Sequence, residues 1–151
     1  IDSHLAEKAL QNEGIQKICK NLNDASFITP LPFNSNGAVI HSNDYSFSIG
    51  KELVHQCKTF CTDNGQTMFR VFCAAWGIVL GRMLNQERII LDHAINIRSE
   101  EFKNVAGTMV NNMPLLIDLS ANVTSRQLFE SIREERHLIR SYPFIDYIDL
   151  M

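Results

Sequence analysis

The chain has 151 residues, enough for one domain or part of one, and a formal net charge of −3 at pH 7. A pI near 5.9 provides no overall basic field, which argues against nucleic acid as the main partner. Hydrophobic residues make up 45% of the sequence, and no apolar run of about 18 residues predicts a membrane span. Composition therefore excludes disordered, collagen-like, membrane-spanning and strongly basic classes without indicating a function.

Both ends of the sequence differ from ordinary chain termini. The first residue is Ile1 rather than Met, and no signal-like stretch follows it. Residues 148–151 continue an apolar-periodic run instead of forming a polar tail. We therefore expect a fragment of a longer polypeptide.

The first predicted elements are a helix over 3–22, weakened by Gly14, and a loop over 23–43. Alternating apolar and polar residues in 45–49 predict a strand, and 51–63 predict a second helix.

The third predicted helix, over 68–83, has the most regular pattern. It follows a stop at Asp63-Asn-Gly65, where glycine suits the left-handed position, and Thr67 can cap it. Its apolar residues keep helical spacing for about four turns, which predicts a central buried helix with Trp76 as a core anchor.

Two more strands follow, over 88–95 and 113–119, and residues 96–112 between them form a long polar connection containing Gly107. Pro114 favours an edge or strand-start position for the second of these strands.

The last helix is predicted to open with a capping box at Thr124 and Gln127 and to run to about residue 140, before Pro143. Its predicted inner face consists of Leu128, Ile132 and Ile139. The alternation of helices and strands indicates a layered α/β fold.

The cysteines indicate a core role. Two of them lie four residues apart and could place two zinc ligands on one helix face, but no second Cys or His pair completes a tetrahedral set. We predict reduced core thiols, no metal, and a reducing, cytoplasmic location. The four residues are Cys19, Cys57, Cys61 and Cys73.

His93 is the best single candidate for a general base, because it lies in a predicted strand. A lone strand histidine is more often a hydrogen-bonded core residue, and Asp92 would point to the opposite face. The other histidines (His4, His41, His55 and His137) are predicted to be solvated.

The last predicted helix carries a run of mixed charges, which predicts a solvated face, with partner docking as the alternative. The residues of this run are Glu130, Arg133, Glu134, Glu135 and Arg136.

The segment 105–114 combines Gly107 with adjacent Asn111 and Asn112 before an apolar strand. An Asn amide can hold a backbone carbonyl on one side and a substrate amide on the other. A structural turn that closes the strand explains the segment equally well.

The order of several segments resembles the condensation domain of nonribosomal peptide synthetases. That family shows G-x-T-x-F, A-A-[FW] and G-Q-E-D-I-V-V-G at this spacing, and the counterparts here are 65–69, 74–76 and 85–91. Downstream, the counterparts of A-G-R, G-x-x-V-N-T, D-L-S, T-x-x-x-L and P-F are 96–98, 107–112, 118–120, 124–128 and 143–144, with only Arg98 kept from A-G-R. The similarity is dense over 45–148 and weak before it.

The sequence also departs from that family. The H-Q-D before P-F is replaced by residues 139–142, and Thr108 and Met109 stand where aromatic residues usually follow the glycine. The H-H-x-x-x-D-G motif, which in the family belongs to the preceding half, is absent from these 151 residues.

The resemblance implies an α/β fold, a two-layer sandwich that forms half of a chloramphenicol-acetyltransferase-like fold. Residues 1–151 would be the C-terminal subdomain, with 1–44 a weakly matched lead-in and 45–151 the core. The implied reaction forms an amide between carrier-protein-tethered acyl and aminoacyl thioesters. The implied partners are peptidyl and aminoacyl carrier proteins with their phosphopantetheine arms, the N-terminal half of the domain, and adjacent synthetase domains.

The resemblance places Asn111, and more weakly Asn112 and Arg98, near the cleft between the halves as substrate-binding or structural residues. It implies no catalytic residue in this half, no metal and no directly bound cofactor, so the chain is expected to be inactive alone. The alternatives are a non-catalytic module that binds carrier proteins or domains, and a relative that epimerises, cyclises or makes an ester. A half domain should also expose an apolar face, which predicts dimerisation or binding of an apolar dye.

Overall fold

The computed structural model of the chain describes residues 12–23, 44–120 and 124–145. This part of the chain forms helices and a hairpin in the order α1 (Glu13–Asn23), α2 (Lys51–Asp63), α3 (Met68–Leu84), β1 (Arg88–Asn96), a short 3₁₀ helix (Glu100–Phe102), β2 (Val110–Asp118) and α4 (Ser125–Arg140). The predicted helices over 51–63, 68–83 and 124–140 are confirmed. The predictions for residues 1–11, 24–43 and 146–151 lie outside the described residues.

The strands β1 and β2 pair antiparallel, from Arg88 opposite Asp118 to Asn96 opposite Val110. Both predicted strands are confirmed, although β2 begins three residues before the predicted start. Pro114 lies in the middle of β2, so the strand-start alternative is wrong. The edge alternative is right for the described part of the sheet, because each strand of a two-stranded sheet has an unpaired edge that tolerates a residue without an N–H.

Local hydrogen bonds begin and end the helices where the sequence predicted. The Thr67 side chain accepts a hydrogen bond from the Arg70 backbone N–H, and Thr124 forms a reciprocal capping box with Gln127. Gly65, after α2, has a φ of +60°, the left-handed conformation expected of it. These caps satisfy backbone groups that a helix end otherwise leaves without partners.

The helices pack against the hairpin around a continuous apolar core. α3 approaches β2 so closely that a Cβ atom at Gly77 would lie 2.5 Å from Cγ2 of Ile117. The predicted inner face of α4 is confirmed, since Leu128, Ile132 and Ile139 are all buried. The hairpin and its covering helices therefore form the layered α/β arrangement that the sequence predicted.

α3 is not a buried central helix, and the prediction that Trp76 anchors the core is wrong. Trp76 is 57% exposed. The fully buried residues of α3 are small, apart from Leu80, and let the helix lie against the hairpin. Phe69, Ile78 and Leu84 are half-buried against the core, whereas four other large apolar residues are exposed. The outward residues, called here the α3 apolar stripe, are Phe72, Trp76, Val79 and Met83.

The strand predicted over 45–49 is also wrong. Residues 44–50 have no regular secondary structure, and Tyr45 and Phe47 are exposed, with their rings 6.0 Å apart. A strand needs a neighbour for its backbone N–H and C=O groups, and among the described strands β1 and β2 pair only with each other. Alternation in a sequence predicts a strand but does not provide that neighbour.

α1 is held against the end of α4 by a close contact at Gly14. The Tyr142 ring lies where a Cβ atom at Gly14 would stand, and its hydroxyl donates to Oδ1 of Asn12 at 2.7 Å. Farther along α1, the Asn21 amide donates to Glu135 at 3.2 Å. Gly14 has a low helix propensity, but its missing side chain leaves the space in which the Tyr142 ring packs.

The four cysteines are free, with Cys61 buried and the other three half-buried. Among the described residues, no group of three or more His, Cys, Asp or Glu side chains could hold a metal ion. No single described helix is long and apolar enough to cross a membrane, although α2 and α3, bent by 109°, pass that test together on length and composition alone.

Candidate functional site

Arg98 organises the connection between the two strands. Its guanidinium donates to the backbone carbonyls of Phe102 at 2.8 Å, Val105 at 2.5 Å and Gly107 at 2.7 Å. Its backbone N–H donates to the Asn96 side chain at 2.9 Å. Charge-assisted hydrogen bonds are stronger than neutral ones, so Arg98 fixes the path of the exposed loop that leads to β2.

Asn111 joins the start of β2 to the segment that follows α4. Its side-chain NH₂ donates to the carbonyl of Pro143 at 3.0 Å and to the carbonyl of Ile145 at 2.8 Å. Both amide hydrogens therefore hold backbone carbonyls. Phe144, between these two acceptors, is exposed. The amide thus fixes the turn that carries the P-F pair.

The hairpin brings all three candidate residues to the same end of the fold, although not to the same face. Asn111 lies opposite Ile95 near the end of β1, and Arg98 follows that strand by two residues. Asn112 is exposed, and its side chain points to the opposite face from that of Asn111, because successive strand residues alternate. Arg98 and Asn111 both hold backbone carbonyls through their side-chain donors, which is the structural role predicted for them. No described residue donates to Oδ1 of Asn111, so this oxygen, like the exposed Asn112 side chain, can still meet a ligand.

His93 is a hydrogen-bonded, half-buried residue, as the simpler of its two interpretations predicted. Its Nδ1 is 2.9 Å from the carbonyl of Met113, which assigns the proton to Nδ1, and its ring lies 5.6 Å from the ring of Phe69. Nε2 is buried with no hydrogen-bond partner among the described residues. Burial lowers the pKa of His93, and the Arg136 and Arg140 charges lower it further against the Met113 hydrogen bond and the Asp92 charge.

The mixed-charge run on α4 is not uniformly solvated, so that prediction is wrong in part. Glu130 and Arg133 form an ion pair on the exposed side, but Glu135 and Arg136 are half-buried. Burial raises the pKa of Glu135 despite the hydrogen bond from Asn21. The solvated-face prediction failed here because α1 and α3 pack against this side of the helix.

Two residues shape this end of the fold in ways that the sequence analysis did not predict, although it named Arg136 as part of the mixed-charge run. Tyr142 connects α1 to the turn after α4, and Arg136 places its guanidinium 4.5 Å above the ring of Phe69. Tyr142 lies in residues 139–142, which replace the H-Q-D of the family. This difference from the family motif was the signal that could have identified Tyr142. For Arg136, the four-residue spacing to Arg140 predicts a shared helix face, but nothing local predicts the aromatic partner.

The lowered pKa of His93 predicts a loss of stability in weak acid. The unfolded chain takes up the proton at its ordinary pKa of about 6.5, before the folded chain does. The free energy of unfolding should therefore fall as the pH drops below that value, until the folded state is protonated too. Urea unfolding at several pH values measures this slope, and His93→Gln should remove it.

The matched control for this measurement is His137→Gln, because His137 is exposed on α4. The slope that His93 contributes should remain in this variant. Glu135 contributes with the opposite sign, since a raised carboxyl pKa makes stability increase as the pH falls toward the ordinary carboxyl range. An unchanged slope in His93→Gln would contradict the assignment to His93.

Comparison with known proteins relates the chain to condensation domains. The family model described as "Condensation domain" matches residues 21–151. Tyrocidine synthase 3 of Brevibacillus parabrevis is 26% identical over 102 residues, which cover 67% of this chain and 2% of that protein. Malpibaldin synthetase of Mortierella alpina is 33% identical over 78 residues, which cover 51% of this chain and 1% of that protein.

A solved structure of the first condensation domain of the calcium-dependent antibiotic synthetase matches with a TM-score of 0.68 at 14% sequence identity. The match covers 96% of this chain and 33% of that chain. The hairpin and its packed helices are therefore a mixed α/β arrangement with the fold of condensation domains. The chain belongs to the condensation domain family. It spans a third of the solved chain and a small part of the curated relatives.

Proposed function

We propose that this chain is part of the C-terminal half of a condensation domain that forms amide bonds between carrier-tethered substrates. The observation that carries the proposal is the family match over 21–151, together with the order of motifs in the sequence. In the reaction, the amine of an aminoacyl thioester attacks the carbonyl of an acyl thioester. The C–N bond forms, the C–S bond breaks, and the phosphopantetheine thiol of the acyl donor leaves.

The exposed apolar surface supports the assignment to part of a larger domain. The α3 apolar stripe runs along the helix at the spacing i, i+4, i+7 and i+11, and each of its residues is at least 44% exposed. A continuous apolar surface on a helix is typical of a face that further protein covers. The remainder of a condensation domain, in the same polypeptide, is the cover that we propose. Its N-terminal half would contribute the catalytic histidine motif.

In this proposal, Arg98 and Asn111 form part of one wall of the cleft and act as positioning residues. Their polar hydrogens hold backbone carbonyls of the loop before β2 and the turn after α4, so they shape the wall instead of transferring protons. The exposed Asn112 side chain and Oδ1 of Asn111, which accepts no hydrogen bond from the described residues, are the groups that would contact substrate directly. Tethering both substrates raises their effective concentration, which would account for much of the rate. Carrier proteins and adjacent synthetase domains would be the partners, in the cytoplasm, and phosphopantetheine would enter only on the carriers.

The test compares this chain alone with the same chain co-expressed with the region encoded upstream of it. Loaded donor and acceptor carrier proteins are added, and mass spectrometry detects the acceptor-bound product. We expect no product from the chain alone and an amide product from the reconstituted domain. Alanine in place of the second histidine of an upstream H-H-x-x-x-D-G motif should abolish that product and serves as the control.

Other outcomes would replace the proposal. Carrier binding without product, or an upstream region without the histidine motif, would indicate a non-catalytic module, which the missing H-Q-D favours. An ester, a cyclised product or an epimerised residue would identify a relative with different chemistry. Mass, sensitivity to mild base and chiral chromatography distinguish these products from the linear amide.

A further inference from the structure

Three arginines lie near the place where the first turn of α3 packs against the last turns of α4. Arg136 and Arg140 are four residues apart on α4 and so lie on the same face. The guanidinium of Arg136 is 4.5 Å above the ring of Phe69, and the next residue along α3 is Arg70. These three side chains are called here the arginine cluster. His93 borders it, because its ring also contacts Phe69.

The arginine cluster has no acidic partner within the described ranges. Two other arginines form ion pairs, Arg88 with Asp118 and Arg133 with Glu130, but none is found for the three members of the cluster. Arg70 donates from Nε to the Thr67 hydroxyl and from Nη2 to a backbone carbonyl, both neutral acceptors. Nε of Arg136 is buried and has no hydrogen-bond acceptor among these residues.

This arrangement is unfavourable without a counter-charge. Arg136 is half-buried, and burial lowers its pKa, as do the neighbouring charges of Arg140 and Arg70. Arg70 also lies in the first turn of α3, where the helix dipole disfavours cations. Because the chain as a whole carries a net charge of −3, the gathering of three cations at this place is not a consequence of a basic composition. An oxyanion would accept the unused hydrogen bonds and offset the repulsion.

We propose that the arginine cluster binds a phosphate group, either as the free ion or as a phosphate monoester. Guanidinium groups suit phosphate because their planar donors match its oxygen geometry. Arg136 and Arg140 would donate from the terminal nitrogens of their guanidinium groups, on successive turns of the same helix. Arg70 would add charge from α3. The inference does not depend on the proposed function, because it rests only on these side chains.

Titration of the ¹⁵N-labelled chain with inorganic phosphate, at constant ionic strength maintained with chloride, tests the proposal. Backbone amide shifts and arginine Nε shifts report binding at the α3–α4 junction and distinguish it from general screening. We expect saturable shifts at Arg136 Nε. Arg140→Gln should weaken phosphate binding about tenfold, as expected for the loss of one charge-assisted contact. Because Arg140 is exposed, this variant should fold even if Arg136→Gln does not.

Arg126→Gln is the matched control, since Arg126 is an exposed arginine near the opposite end of α4. It should leave the affinity for phosphate unchanged. A parallel titration with glycerol 3-phosphate distinguishes the two sources, because a site for a monoester binds it at least as tightly and a site for the free ion binds it more weakly. Linear shifts without saturation, or equal losses in Arg126→Gln and Arg140→Gln, would overturn the proposal.

Discussion

Gly77→Val is expected to destabilise the chain by about 3 kcal/mol through overpacking between α3 and the hairpin. A Cβ atom at Gly77 would lie 2.5 Å from Cγ2 and 3.1 Å from Cβ of Ile117. Ile117 is fully buried in β2, so its side chain has little room to move away. Valine would therefore push α3 away from the hairpin. The shift of the urea midpoint, followed by circular dichroism, measures the loss.

A double-mutant cycle identifies the contact that is responsible. Ile117→Ala alone should cost about 2–5 kcal/mol, because it leaves a cavity in the core. Gly77→Ala should destabilise the wild-type chain but be neutral or stabilising in the Ile117→Ala background, where the added methyl group enters the vacated space. We expect a coupling free energy of about 1–3 kcal/mol between the two sites.

The control for Gly77→Val is Ala75→Val, because Ala75 is exposed on the same helix. It adds bulk without facing Ile117 and carries only the lower helix propensity of valine relative to alanine, so it should cost about 0.5 kcal/mol. Equal losses in Gly77→Val and Ala75→Val would contradict the packing argument, because helix propensity favours valine over glycine and predicts no loss at Gly77.

The features that the sequence predicted correctly depend on short-range chemistry. The Thr67 cap and the Thr124–Gln127 box join groups three residues apart, so their geometry is a property of the local sequence. The errors concern neighbours that are remote in sequence. Alternation in 45–49 cannot provide a pairing strand, and the spacing of apolar residues around Trp76 does not show which side of α3 the hairpin covers.

For the candidate site too, the sequence identified residues but not their distant partners. Residue type and order singled out Arg98 and Asn111, and the structure places both at one end of the hairpin. Their hydrogen-bond partners were not predictable, because the acceptors for Asn111 lie 32 and 34 residues farther along the chain. The arginine cluster is even less predictable from the sequence, because Arg136 contacts Phe69 only through the packing of α4 on α3.

Asn111→Asp is expected to destabilise the chain by about 3 kcal/mol at neutral pH, because two donated hydrogen bonds are lost and a carboxylate then faces carbonyl oxygens. The two acceptors, Pro143 and Ile145, belong to the turn that follows α4. Since only the protonated acid can donate to a carbonyl, the pKa of the introduced carboxyl group should be raised. Stability should therefore recover partly as the pH falls through that raised value. Urea unfolding at neutral and acidic pH measures both effects.

Asn112→Asp is a matched control at the adjacent position, where the side chain is exposed, and should change stability by about 0.5 kcal/mol or less. The pair also separates the two interpretations of the asparagines. If Asn111 holds the turn, Asn111→Ala should lower stability by about 2 kcal/mol, and turnover of the reconstituted domain should fall in proportion to the unfolded fraction. If turnover instead collapses while the unfolding midpoint stays unchanged, the Asn111 amide contacts the substrate, and its hydrogen bonds to the turn contribute little to the fold.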